Sequence, residues 1–313
     1  MIRTRPLGGT GLVVSELALG TWAFGGDEWG PPDDRQAVAT IHAALAAGVT
    51  LIDSADVYGY GRSEELVGEA LAGTGDDVLV CSKAGNDIYD TPRQAGGGPK
   101  CFTAEYLARA IEGSLRRLRR DAVDIYLLHN PSLAVLEDGE ALGALHAARD
   151  AGSVRLVGAS VYTAAEGRAA IAGGADVVMI THNLINHDES TALLAAADEQ
   201  GCAVLARSVL ANGLLTGKYD RDARFPADDH RAHRGADWLA SAMERIDALA
   251  PVAGRHGMTL RELALVYALS DGRLASAVVG VRSPEQLAEH VAAAVRAPLD
   301  TAIRTEIADA LHG

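Results

Sequence analysis

Short apolar segments alternate along this chain with longer segments whose apolar residues recur every three or four positions. The short segments are rich in Val, Leu and Ile, which is typical of strands buried on both faces of a parallel sheet. The longer segments have the periodicity of amphipathic helices. The predicted strands span residues 16–19, 50–52, 78–82, 123–128, 156–159, 177–180, 203–206 and 277–279. The predicted helices span residues 34–47, 63–72, 103–118, 138–151, 163–172, 189–200, 236–256, 259–270 and 284–295.

Eight strand–helix units in succession predict an α/β fold, the closed (β/α)8 or TIM barrel, which often forms one domain of about 250 residues or more. We therefore predict a single barrel domain over residues 1–313. The sequence GGTG at residues 8–11 predicts an N-terminal β-hairpin before the barrel. A doubly wound sheet, the alternative fold, would carry the G-x-G-x-x-G dinucleotide fingerprint after its first strand. Residues 19–25 read LGTWAFG, so the barrel is favoured.

Three connections that follow strands are longer than average. They span residues 22–33, 84–102 and 209–235, and the second contains a run of three glycines at residues 96–98. Connections that follow strands lie at the C-terminal mouth of a barrel, where active sites are built. We expect a lid or a substrate pocket there.

Composition excludes several classes of function. The net charge of −14 argues against nucleic-acid binding. The basic run RRLRR at residues 116–120 ends a predicted helix, where positive charge complements the helix dipole. No segment is apolar enough to span a membrane, and the N-terminus lacks the apolar core of a signal peptide. Three widely spaced cysteines form no CxxC pair, so we expect a reducing, cytoplasmic location.

Four polar residues follow three of the predicted strands and form a candidate proton-transfer group. Asp53 and Tyr58 follow the second strand, Lys83 the third and His129 the fourth. A nearby ammonium favours the phenolate, so we expect Lys83 to lower the pKa of Tyr58. Asp53 could hold Lys83, and His129 could orient a carbonyl oxygen. The chain has neither G-x-S-x-G nor zinc-ligand spacing, so a cofactor is expected to supply the attacking group.

Several segments resemble the aldo-keto reductase superfamily, in the same order along nearly the whole chain. The most specific is LIDSADVYGYGRSEELVG at residues 51–68, and the others are LGTW at 19–22, SK at 82–83, YLLH at 126–129, VGAS at 157–160, GLLTGKY at 213–219 and GVRSPEQL at 280–287. The resemblance implies a (β/α)8 barrel that reduces aldehydes and ketones with NADP(H), or less often NAD(H). It also implies that the catalytic residues are Asp53, Tyr58, Lys83 and His129, hereafter the tetrad.

The resemblance further assigns residues to the nicotinamide end of the cofactor. Gly20, Thr21 and Trp22 would lie under the nicotinamide, and Ser160 would bind its carboxamide. Relatives place Asn and Gln where this chain has Val161 and Met179. The aromatic residue that often stacks on the nicotinamide is replaced by Arg207, whose planar guanidinium can also stack.

The segment after the last strand predicts a binding site for the 2′-phosphate of NADP(H). Ser283, Pro284 and Gln286 are typical of a capped helix start, and the free N–H groups of a helix start favour an anion. Gly280 precedes this segment, and Arg282 can add a charge-assisted contact. His290 stands where relatives have the Asn that contacts adenine. These residues favour NADP(H), with NAD(H) as the alternative.

Aromatic residues in or near the long connections are candidates for the substrate pocket: Trp22, Trp29, Tyr89 and Trp238. Residues 228–233, DDHRAH, contain metal-ligand types, but they lie in a polar loop and we predict no metal site. The prediction is an enzyme that reduces a small carbonyl compound by hydride transfer from NADP(H), with Tyr58 as proton donor. The alternatives are an NAD-dependent aldose or sugar dehydrogenase and a cofactor-sensing regulatory subunit, which the intact tetrad disfavours.

Overall fold

Eight parallel strands close into a barrel in the computed structural model, which describes residues 2–26, 28–30, 33–74, 77–94, 97–296 and 298–312. The barrel strands are β3 (Leu17–Gly20), β4 (Leu51–Asp53), β5 (Leu79–Ala84), β6 (Val123–His129), β7 (Val154–Val161), β8 (Val177–Thr181), β9 (Ala203–Arg207) and β10 (Leu274–Gly280). They neighbour one another in chain order, and β10 pairs with β3 to close the ring. The predicted barrel is confirmed, and each predicted strand overlaps an observed one.

The predicted N-terminal hairpin is also confirmed, and it covers the amino-terminal end of the barrel. Strands β1 (Thr4–Pro6) and β2 (Val13–Ser15) pair in antiparallel register. Leu7 and Val14, in and beside this hairpin, are fully buried against residues of the barrel interior. The hairpin therefore seals the end of the barrel opposite the mouth.

Helices surround the barrel and bury its outer face. They are α1 (Asp34–Ala46), α2 (Arg62–Ala70), α3 (Ala104–Leu118), α4 (Leu133–Asp138), α5 (Glu140–Asp150), α6 (Ala164–Ala172), α7 (Asp188–Glu199), α8 (Ala236–Arg255), α9 (Leu260–Leu269), α10 (Pro284–Ala294) and α11 (Thr301–His312). The sequence did not predict α4 or α11. No described helix is both long and apolar enough to cross a membrane.

Alternate residues of each strand face two separate apolar cores. One core fills the barrel and includes Leu51, Leu79 and Ile125. The other lies between the strands and the helices and includes Ile52, Val80 and their neighbours. Because both faces of each strand are buried, the strands are near-continuously apolar, as the sequence indicated.

The long connections at the mouth contact one another across it. Trp29, after β3, forms an isolated antiparallel bridge with Asp229, after β9. The backbone N–H of His230 also donates to the carbonyl oxygen of Glu28, at 3.2 Å. Five residues of the long connections lie outside the described residues, namely 27, 31, 32, 95 and 96. The last of these is the first glycine of the run at residues 96–98. The described parts of the first and third loops are therefore joined backbone to backbone across the mouth.

Candidate active site

The tetrad side chains converge at the C-terminal mouth of the barrel. Asp53 ends β4, Lys83 lies near the end of β5, and His129 ends β6. The Nζ atom of Lys83 lies 2.7 Å from Oδ1 of Asp53 and 3.4 Å from the hydroxyl oxygen of Tyr58. The same ammonium donates to the backbone oxygen of Ser54, at 2.6 Å. Lys83 is thus held from two sides and placed beside the phenol.

The electrostatics of this group differ in one respect from the expectation drawn from the sequence. Burial opposes the charged form of Lys83, but the Asp53 carboxylate outweighs it, so the pKa of Lys83 is raised. Burial also raises the pKa of Tyr58 above its ordinary value, and the opposing effect of Lys83 does not overcome it. The expectation that Lys83 brings the Tyr58 pKa below its ordinary value is therefore wrong. Tyr58 is a neutral phenol with a proton to donate.

His129 is a neutral imidazole next to Tyr58. The two ring centroids are 5.9 Å apart, in an edge-to-face arrangement. Burial, followed by the charges of Lys83 and nearby cations, holds the pKa of His129 well below its ordinary value. Its Nδ1 lies 3.4 Å from the side-chain nitrogen of Asn86, which can only donate. The remaining ring nitrogen, Nε2, then carries the proton and can donate to an oxygen.

The tetrad lines one end of a cavity of about 780 Å³. Eight of the ten predicted cofactor residues line the same cavity: Gly20, Trp22, Ser160, Arg207, Gly280, Arg282, Gln286 and His290. Thr21 does not, because its hydroxyl is buried and lies 2.9 Å from the backbone oxygen of Asp53 and 2.6 Å from Oγ of Ser63. Ser283 is also absent from the lining. The structure therefore gathers most of the predicted set into one cleft.

The far end of the cleft lies at the start of α10. Ser283 is the N-cap of this helix, and its Oγ accepts from the backbone N–H of Gln286 at 3.3 Å, with Pro284 as the first helical residue. The exposed side chain of Arg282 stands just before it. His290, in the same helix, is buried, and burial lowers its pKa to about 4. This end of the cleft offers a cation and a helix N-terminus.

Two of the four predicted substrate aromatics lie at the cavity. Trp22 and Trp29 line it and pack edge to face, with ring centroids 5.3 Å apart. The imidazole of His230 lies against both, with centroid distances of 4.7 Å to Trp22 and 4.5 Å to Trp29. Sequence reasoning did not single out His230 as a pocket residue. These three rings form the aromatic wall of the cleft.

The other two predicted aromatics lie elsewhere. Tyr89 packs against Tyr106 and under the guanidinium of Arg109, outside the cavity lining. Trp238 packs against Phe225 and beneath Arg234 at the start of α8. The sequence placed both residues near the mouth-side loops, but neither lines the cleft. Their assignment to the substrate pocket is corrected accordingly.

The cavity lining is positively charged although the whole chain carries −14. Three acidic residues line it, namely Glu28, Asp53 and Glu289, against eight basic ones: Lys83, Lys100, Arg207, Lys218, Arg231, Arg234, Arg261 and Arg282. A cleft lined by one sign of charge concentrates ligands of the opposite sign. The geometry therefore suits a polyanionic ligand.

The polar loop at residues 228–233 is partly ordered by its own ion pair. Asp229 accepts from the Arg231 guanidinium at 2.6 Å and 2.8 Å, and both residues are buried. Arg231 also lies over the rings of Trp29 and Phe225.

In the part of the chain that the structure describes, no group of three or more His, Cys, Asp or Glu residues could hold a metal ion.

The mouth of this parallel barrel combines a buried Lys–Asp pair, a phenol and a neutral imidazole, a set of groups suited to an oxidoreductase that protonates a substrate oxygen. The family model for the Aldo/keto reductase family matches residues 16–311, and the chain belongs to that family.

Relatives with named activities extend the comparison. Aldo-keto reductase YhdN of Bacillus subtilis is 33% identical over 89% of this chain and 84% of its own length. The NADH-specific methylglyoxal reductase of Escherichia coli is 31% identical over 98% of both chains. The structure of the glycerol dehydrogenase AKR11B4 from Gluconobacter oxydans superimposes with a TM-score of 0.84, at 30% identity over 98% of this chain and 94% of that one. The similarity therefore spans the whole barrel.

Proposed function

We propose that this protein is an NADP(H)-dependent reductase of small aldehydes or ketones, with Tyr58 as the proton donor. The observation that carries the proposal is the position of the buried Lys83 ammonium, 3.4 Å from the Tyr58 hydroxyl at the end of a large cleft. An ammonium in this place stabilises the phenolate that remains once the phenol has given up its proton.

The residues of the cleft fit a nicotinamide dinucleotide. An extended polyanion matches a cavity with a positively charged lining that reaches from Tyr58 to the start of α10. Gly20, Trp22, Ser160 and Arg207 would hold the nicotinamide end, and Arg282 with the start of α10 would hold the phosphate end. When bound, the cofactor supplies a hydride to the carbonyl carbon.

The chain's own residues then handle the proton and the oxygen. The neutral His129, with its proton on Nε2, donates a hydrogen bond to the carbonyl oxygen and so orients it toward Tyr58. Tyr58 transfers its proton to that oxygen, and Lys83, held by Asp53, stabilises the phenolate. The aromatic wall of Trp22, Trp29 and His230 excludes water and contacts the apolar part of the substrate.

The second candidate is an NAD(H)-dependent enzyme, including a sugar or polyol dehydrogenase. Two observations favour it: the E. coli relative is named NADH-specific, and the G. oxydans structure is a glycerol dehydrogenase. Val161 and Met179 also stand where an Asn and a Gln are expected. Arg282 is the feature that favours NADP(H), since an Arg in this place accommodates a 2′-phosphate.

Three free cysteines are consistent with the proposed cytoplasmic location.

The test is a panel of aldehydes, ketones and sugars assayed with NADPH and separately with NADH, by following coenzyme absorbance. Oxidation of the matching alcohols is measured with NADP⁺ and NAD⁺. NADPH-dependent reduction of at least one carbonyl compound, lost in Tyr58→Phe, supports the proposal. A preference for NADH supports the second candidate. Coenzyme binding without turnover on any panel member would instead indicate a cofactor sensor.

A further inference from the structure

Arg207 is a cation at the mouth of the barrel with no acidic partner among the described residues. It ends β9 and lines the same cavity as the tetrad. Its guanidinium donates to the backbone oxygen of Val161 at 3.0 Å and to Oγ of Ser208 at 3.5 Å. It also lies 4.8 Å from the ring centroid of Tyr162. These three contacts of the Arg207 guanidinium are all with neutral groups.

The charge of Arg207 acts on the reacting end of the cleft. Arg207 lines the same cavity as Tyr58 and His129. Burial is the largest influence on the pKa of both groups, and the charge of Arg207 also contributes to both. The other cation here, Lys83, is paired with Asp53 at 2.7 Å. Arg207 therefore leaves this end of the cleft with an uncompensated positive charge.

An uncompensated charge in a partly buried place calls for a reason. Burial lowers the pKa of Arg207, yet an arginine stays protonated in proteins. A ligand placed beside Arg207 in the cleft therefore experiences this charge with less screening than in bulk water. Two ligands of the same shape that differ by one unit of charge are then bound with different affinity.

We infer that Arg207 makes the protein discriminate between the oxidation states of its nicotinamide cofactor. The reduced nicotinamide ring is neutral and the oxidised ring is a cation, while the rest of the dinucleotide is unchanged. The guanidinium repels only the oxidised ring, so NADPH is bound more tightly than NADP⁺. The inference rests on the proposed function, because it requires the nicotinamide at the tetrad end of the cleft.

Such discrimination has a direct consequence for the direction of turnover. A reductase that holds NADPH tightly and NADP⁺ weakly loads the substrate form of its coenzyme and releases the product form quickly. Release of a product often limits the turnover of an enzyme. Arg207 thus suits the barrel to reduction rather than to oxidation.

The experiment measures the ratio of two dissociation constants, that of NADP⁺ over that of NADPH. Both are titrated by tryptophan fluorescence, since Trp22 and Trp29 line the cavity. We expect a ratio above about ten for the wild type and a ratio about tenfold smaller for Arg207→Gln, or ~1.4 kcal/mol. Arg207→Lys, which keeps the charge without the planar group, retains most of the wild-type ratio.

The matched control is Arg282→Gln, which removes a cation at the other end of the same cleft. It weakens both coenzyme forms and leaves their ratio unchanged. A variant that is partly misfolded also loses affinity for both forms equally, so the ratio stays informative.

Three results would overturn the inference or its foundation. An unchanged ratio in Arg207→Gln, with both forms binding, refutes the charge effect. A ratio for Arg207→Lys equal to that of Arg207→Gln assigns the preference to planar stacking and refutes it as well. If the wild type binds neither form, the proposed function itself fails.

Discussion

The ammonium nitrogen of Lys83 lies 2.7 Å from a carboxylate oxygen of Asp53, and both side chains are almost entirely buried. Lys83 contacts the phenol of Tyr58 directly, whereas Asp53 acts on it at longer range, by its own charge and by holding Lys83. We therefore expect Lys83→Met to reduce kcat more severely than Asp53→Asn, as measured by steady-state kinetics.

The stability of these variants must be measured alongside, because Lys83→Met leaves a buried carboxylate without its partner. Breaking a buried pair in this way costs ~3–5 kcal/mol. The double variant Lys83→Met with Asp53→Asn removes that carboxylate and should recover stability without recovering kcat. If Asp53→Asn alone is the more damaging change to kcat, the acid does more than position the lysine.

Tyr58→Phe should lose carbonyl reduction by ~10²–10⁴-fold, the usual contribution of a general acid or base. The ring remains to pack beside Trp22, with which it is stacked at a centroid distance of 6.0 Å. Binding of NADPH, followed by fluorescence titration, should therefore stay within a few-fold of wild type. Retention of more than about a tenth of the wild-type kcat would show that another group donates the proton.

Arg282→Ala should weaken NADPH far more than NADH, because only NADPH carries a 2′-phosphate. A charge-assisted hydrogen bond contributes ~1.5–3 kcal/mol, which corresponds to roughly a ten- to hundred-fold change in Kd. The helix start capped by Ser283 remains, so some preference for NADPH should survive. Equal losses for the two coenzymes, in paired titrations, would remove the phosphate contact from the proposal.

The stability of the protein should fall in mild acid, in part through His182. This buried imidazole contacts Oγ of Ser190 at 2.8 Å and stacks on Tyr267, and burial lowers its pKa to about 4. Folding favours the neutral form of His182. The contribution of this imidazole to the free energy of unfolding is therefore complete above its unfolded pKa of ~6.5 and is lost as the pH falls toward 4.

We expect this one histidine to account for ~2 kcal/mol of the stability lost between about pH 8 and pH 5. His182→Phe keeps the ring against Tyr267 and should show a shallower dependence in urea unfolding. Identical pH slopes for the variant and the wild type would mean that His182 does not titrate on unfolding.

Asp56→Asn should stabilise the protein at neutral pH. Both carboxyl oxygens of Asp56 are buried, and the backbone N–H of Val57 is a weak partner that does not offset this burial. Burial, followed by the charge of Glu64, raises its pKa well above the ordinary value. A carboxyl group whose pKa is raised by folding makes the folded state less stable as the pH rises above its unfolded pKa of ~3.9. The stability gained by Asp56→Asn should therefore grow with pH.

A gain in stability is expected at about pH 7, because the amide carries no charge that burial opposes. Glu64→Gln is the matched contrast. Glu64 forms an ion pair with Arg117 at 2.7 Å, so this change should destabilise the protein. Thermal unfolding of both variants over a range of pH decides the matter. A lower Tm for Asp56→Asn would show that its ionised form is stabilised in the fold.

The sequence predicted the barrel because the barrel strands are buried along most of both faces, which leaves a nearly continuous apolar signal. It also predicted the convergence of the tetrad, because strand ends in a barrel meet at one mouth. Helix α11 was missed although Ile303, Ile307 and Leu311 recur every four residues, a signal that was present. Helix α4 has only six residues before Gly139, too few for a clear period.

The direction of loop side chains was not predictable in the same way. Tyr89 and Trp238 lie in or beside mouth-side loops, but each packs against partners that the sequence does not bring near. Thr21 ends up with its hydroxyl on Ser63, forty-two residues away. The raised pKa of Tyr58 was missed for a related reason, because burial depends on the whole cleft rather than on Lys83 alone.

The bridge between Trp29 and Asp229 makes the wall of the cleft the joint product of two segments two hundred residues apart. The two loops support each other, since the backbone of one is hydrogen-bonded to the backbone of the other. Grafting one loop from a relative would therefore leave an unmatched partner behind. Substrate preference should be transferable between family members only when both loops are exchanged together, and we expect them to change as a pair during divergence.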